Sequence, residues 1–207
     1  MILRACLIAS TLLLGGCIVF DKKSAAVSFH QFAVPSAAAR HPEPLVFVPR
    51  AVIPATLRRP NLVLTDEAGA LRLDDAHRWL APLDRAIAES VGRHLTAARG
   101  LPVVAQVPVG DHLVLLLTLD KMETLNGAPV VPPFFALPGL RGEDRAVMHL
   151  TYRLEKSTGA LLATATLTES CPLDERSAPA YVRAQSANLA AIAAAIAREL
   201  PAPPKSP

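Results

Sequence analysis

His112-Leu113-Val114-Leu115-Leu116-Leu117-Thr118-Leu119-Asp120-Lys121-Met122-Glu123 decides the fold. Leu113, Leu115, Leu117 and Leu119 fall on one side of an extended chain, Val114 and Leu116 on the other. Both sides are apolar at its start, so the strand belongs at the centre of a sheet, covered on two faces. The apolar run near 112–119 is far short of the ~20 residues a membrane helix needs.

Other elements follow on either side. Pro82–Arg99 repeats Leu83, Ile87, Val91, Leu95 and Ala98 at helical spacing. Pro82 suits the first helical position, Asp84 and Arg99 suit the two ends of the dipole, and Gly100 suits the residue after the helix. Ala180–Leu200 is a second, Ala-rich helix with Tyr181, Leu189, Ile192, Ile196 and Leu200 mostly on one face. Ala146–Leu154 and Ala160–Thr168 read as a hairpin around Ser157-Thr158-Gly159. Asn61–Thr65 and Leu71-Arg72-Leu73 read as another around 66–69. Leu45–Ile53 is a strand bent near Pro49, and Ser28–Val34 an edge strand. About six strands and two long helices predict an α/β domain with helices covering a mixed sheet. Neither a repeat nor an internal boundary shows within 28–200. Residues 201–207 read as a disordered tail.

At the other end, Ala5–Leu14 is an apolar run behind Arg4, closed by Leu14-Gly15-Gly16-Cys17. A secretory leader has this layout. A cysteine directly after small residues adds a thiol that takes a diacylglyceryl group. The expectation is a lipoprotein signal peptide at 1–16, lipid attachment at Cys17 and a linker at 17–27. Each buried CH₂ of a lipid chain contributes about 0.8 kcal/mol, and more than one chain makes the tether stable. Ile18, not Asp, follows Cys17, the pattern of export to the outer membrane.

Composition narrows the chemistry. Nineteen prolines against ten glycines favour stiff connections. Removing Arg4 with the leader takes the net charge from +3 to +2, with both signs scattered, which excludes a nucleic-acid binder. Of three cysteines only Cys171 remains in the body, so no internal disulfide forms. Cys171 reads as a small buried apolar residue; a catalytic thiol would need a paired His. The six histidines lack metal-ligand spacing. Phosphate-loop, zinc-protease and hydrolase-elbow motifs are absent. Asp74-Asp75 with His77, beside Asp84, reads as a solvated turn and helix start rather than an acid–base cluster. No cofactor is called for, and the body reads as non-enzymatic. Trp79, the only Trp, with Arg59 and Arg78, either caps the core or forms a contact patch. The apolar, Pro-rich loop 126–142, with Phe134-Phe135, either folds back or faces a partner or membrane.

Val52-Ile53-Pro54-Ala55-Thr56-Leu57-Arg58-Arg59-Pro60-Asn61-Leu62-Val63, then Arg78-Trp79-Leu80-Ala81-Pro82-Leu83, resembles the ABC-type transport auxiliary lipoproteins, the paraquat-inducible protein C-like family. Pro54, Leu57, Arg59, Pro60, Arg78, Trp79, Pro82 and Leu83 match its pattern. Arg58 replaces the usual Asp, and Ala81 the usual Glu. The resemblance implies a three-layer α/β domain similar to the N-terminal domain of the translocation protein TolB. It also implies a non-enzymatic lipoprotein on the periplasmic face of the outer membrane. Its partners would be an MCE-domain protein and inner-membrane permease components that move lipid between membranes, and a homo-oligomer is compatible with that role. The alternatives are a periplasmic hydrolase and a stand-alone lipid- or ligand-binding lipoprotein.

Overall fold

The computed structural model describes residues 26–40, 44–65, 70–125 and 143–201. The leader, Cys17 and loop 126–142 lie outside these. The elements are β1 (Ser28–His30), β2 (Val46–Phe47), β3 (Asn61–Thr65), β4 (Leu71–Trp79), α1 (Leu83–Arg99), β5 (Val103–Val104), β6 (Leu113–Leu125), β7 (Arg145–Lys156), β8 (Leu161–Pro172) and α2 (Ala178–Glu199). The mixed α/β class and both long helices hold, but the strands divide between two sheets. One has the order β1-β4-β3, the other β5-β2-β6-β7-β8. Both are mixed: β1 runs parallel to β4, and β2 parallel to β5 and β6, while the remaining pairs are antiparallel.

β6 is central, as its leucines require. Leu115, Leu117 and Leu119 stand opposite Leu154, Tyr152 and Leu150, and all six are buried. The helices fill this face. α2 lies over β7 and β8 and α1 lies beside α2. At Gly92 a Cβ would come within 2.8 Å of Val103 Cγ1, so the missing side chain lets α1 approach β5 closely. Among the described residues the expected cover on the second face is not found. Leu116 is 38% exposed, and beyond it the face is polar: Thr151 bridges Asp120 and Thr166, and Arg153 pairs with Glu155. The apolar start of β6 spans only Val114 and Leu116 on that side, and an antiparallel sheet can leave such a face to water.

Other boundaries shift for local reasons. The strand expected over Leu45–Ile53 pairs only at Val46–Phe47, with a separate bridge from Val52 to Thr118. Between them stands Pro49, which has no N–H to donate. β1 keeps its edge position but stops at His30. Pro82 is the residue before α1 rather than its first, and Gly100 closes that helix in the left-handed conformation, φ 68°. α2 begins two residues early because Ser177 Oγ accepts the Ala180 amide at 3.2 Å. Arg99 reaches past its own helix to the Leu200 carbonyl at the end of α2, 3.0 Å away. Cys171 is half-buried, opposite Ala146, and free.

The two faces of β6 make a prediction. Leu117→Ala should cost about 2–5 kcal/mol, the range for emptying a packed leucine site. Leu116→Ala should cost well under half of that. Denaturant midpoints check this, and equal losses would contradict the face assignment.

Candidate functional site

The turn from β4 into α1 organises the site. The Trp79 amide donates to the Pro60 carbonyl at 2.7 Å, and the Leu80 amide to the His30 carbonyl at 2.8 Å. The Trp79 indole is 5% exposed and packs on Phe32, ring centroids 4.9 Å apart and tilted by 36°. The chain turns at Ala81, and Pro82 opens α1 without a side-chain cap. Helix N-termini leave several amides without an internal partner and carry partial positive charge.

A cavity of about 650 Å³ opens at this turn. Ala51, Ile53, Trp79 and Leu83 line it and are buried, giving an apolar floor. Arg50, Arg58 and Arg59 line it from the exposed side, with Val52 and Leu80 59% and 61% exposed beside them. Arg50 pairs with Asp84 at 3.7 Å, an exposed contact worth little. Neither Arg58 nor Arg59 has an ion pair among the described residues. Three guanidinium groups therefore share one cavity with one carboxylate. An apolar pocket with a few convergent polar groups at its mouth is the usual form of a small-molecule site.

The structure brings together Arg59, Pro60, Trp79, Pro82 and Leu83, all of which line the cavity. Two frame residues stand apart. Pro54 precedes a short 3₁₀ turn, Ala55–Leu57, where its carbonyl accepts the Leu57 amide and Leu57 is buried. Arg78 alternates with Trp79 along β4 and so projects to the other face. It is half-buried, and its Nε has no hydrogen-bond partner. The sequence reading did not single out Arg50, Val52 or Leu80 for the site. Val52 and Arg50 flank a buried Ala51, a period-two signal that one face of this segment meets the core.

Asp74, Asp75 and His77 were expected in a solvated turn and helix start. They lie within β4 instead, because that strand runs on to Trp79. Asp74 Oδ1 accepts the Ala76 amide at 3.0 Å, and Asp75 Oδ1 accepts from Asn61 Nδ2 at 3.1 Å. Across the small sheet, His30 Nε2 and His77 Nδ1 are 2.8 Å apart and share a hydrogen bond. One ring must accept it, so one must be neutral. Burial holds the His30 pKa below its ordinary 6.5, and His77 lowers it further, while Asp74 acts the other way.

Residues 30–197 match the model of the ABC-type transport auxiliary lipoprotein component. The chain belongs to that family. Two solved structures share the fold of this auxiliary lipoprotein. An uncharacterized protein matches 84% of this chain and 98% of its own at 17% identity and a TM-score of 0.63. A Xanthomonas campestris protein of the family DUF330 matches 82% and 92% at 16% identity and a TM-score of 0.59. No curated protein matches the chain. Among the described residues, no helix of the auxiliary lipoprotein is long and apolar enough to cross a membrane. Arg58 and Ala81 also line its cavity.

The histidine pair gives this auxiliary lipoprotein a signed pH dependence. The folded state holds the His30 proton more weakly than the unfolded state does, so stability is complete above about pH 6.5 and falls as the pH drops through the folded value. Melting temperatures measured from pH 7.5 to 5.0 should decline, and His30→Gln should flatten the slope. An unchanged slope in the variant would contradict the assignment.

Proposed function

We propose that this lipoprotein is the outer-membrane end of an MCE-type lipid transport system. It is non-enzymatic, anchored through lipid on Cys17, and holds its folded domain on the periplasmic face. There it docks the MCE-domain protein whose permease components sit in the inner membrane, and so supports envelope integrity. The observation that carries this reading is the family match over residues 30–197, which makes the chain a transport auxiliary component. Leu14-Gly15-Gly16-Cys17 supports the anchor, and Ile18 the outer membrane.

The frame supports a contact surface. Arg59, Pro60, Trp79, Pro82 and Leu83 converge at one turn, and the exposed Arg58, Arg59 and Leu80 ring its opening. Arginine and large apolar side chains around a rigid turn suit protein contact. A homo-oligomer presenting several such openings would match a ring-shaped conduit, since most oligomers are cyclic.

Two experiments test the reading. Cys17→Ala should leave the domain folded but move it from the outer-membrane fraction to the soluble or inner-membrane fraction. Tagged, lipidated protein purified from intact cells should bring down an MCE-domain protein. Consistent absence of that protein would favour a lipid-binding lipoprotein acting alone.

A further inference from the structure

The cavity combines features that a docking role does not require. Its floor is apolar and closed by Trp79, Leu83, Ile53 and Ala51. Among the described residues its mouth carries Arg50, Arg58 and Arg59 against one carboxylate, Asp84. A ligand that satisfies both parts has an apolar chain for the floor and an anionic group for the mouth. We propose that this cavity binds a single-chain anionic amphiphile of the fatty-acid or lysophospholipid class. The inference deepens the transport reading by naming what the same site holds.

Size and charge both favour this ligand. About 650 Å³ lies within the ~300–1,000 Å³ of small-molecule sites, with room for one acyl chain and a head group but not for a two-chain phospholipid. Among the described residues Arg58 and Arg59 have no ion pair, so a carboxylate or phosphate at the mouth gains charge-assisted hydrogen bonds without displacing any of them. Beside them α1 begins without a side-chain cap, with Asp84 in its first turn. Val52 and Leu80 extend the apolar wall out to the surface, which gives the chain a path inward. An acidic protein segment could meet the arginines, but it would leave the apolar floor empty.

Trp79 is the only Trp and lines the floor, so its fluorescence reports contact directly. The full processed lipoprotein, held by its own lipid in phosphatidylcholine nanodiscs, is titrated with dibromostearate, which quenches tryptophan on contact. Saturable quenching is expected, reversed by lysophosphatidylglycerol or by palmitate but not by lysophosphatidylcholine. Which of the first two competes more strongly separates a phosphate head group from a carboxylate. Arg58→Gln with Arg59→Gln, both exposed positions, should weaken binding about tenfold or more with an unchanged melting temperature. Ala81→Phe should fill the cavity and abolish quenching. Quenching that never saturates, that the arginine variant leaves unaltered, or that lysophosphatidylcholine reverses equally well overturns the proposal. Loss of quenching alone strikes this ligand, whereas loss of the co-purifying MCE protein alone strikes the docking reading.

Discussion

The structure turns on the burial of one indole. Trp79 ends β4, and its amide ties that strand to the turn at Pro60. Its ring packs on Phe32, which follows β1, and the chain leaves it through Ala81 into α1. A large aromatic at such a joint contributes more than area, because its fixed shape sets the angle between the elements it touches. The small sheet, the start of α1 and the cavity floor therefore share one support. A change at Trp79 would loosen the frame and open the site together.

A second constraint holds α2 in register over the large sheet. Gln185 and Asn188 are buried, and they donate to main-chain oxygens: Gln185 to Val147 at 3.1 Å, Asn188 to Ala146 at 2.9 Å. Buried polar groups are costly unless paired, so these bonds select one rotation of the helix. Ser186, nearby, accepts the Ala33 amide at 3.1 Å and so pins the segment after β1 to the same helix. The helix layer thus fixes both the large sheet and the Phe32 side of the Trp79 joint.

Much of this is legible in the sequence because it is periodic. The leucines of β6 and the 3.6-residue spacing of α1 declare their inward faces without tertiary information. Misread segments are those in which tertiary partners outweigh local pattern. Asp74, Asp75 and His77 look like a turn, yet they lie in a strand held by partners on both sides: β3 sets Leu62 opposite Asp74, and β1, far earlier in the chain, sets Ser28 opposite His77 and His30 opposite Trp79. The division into two sheets comes from the same long-range pairing. Val114 and Leu116 suggest a second covered face, but polar residues follow them there and no described element covers it. At the site, the frame residues were singled out by resemblance, and the lone Trp and paired arginines by residue type. Their convergence with Arg50, Val52 and Leu80 around a cavity is a matter of geometry, which no linear spacing encodes.

If the frame is the working surface, its rim must face the partner. Placing a photo-crosslinking amino acid at Leu80, on the rim, and at Leu162, at the exposed end of the β7–β8 hairpin, tests this most directly in intact cells. The account predicts a covalent product with an MCE-domain protein from position 80 and none from position 162. A product from 162 alone, or none from 80 in a protein that still restores envelope integrity, would contradict it.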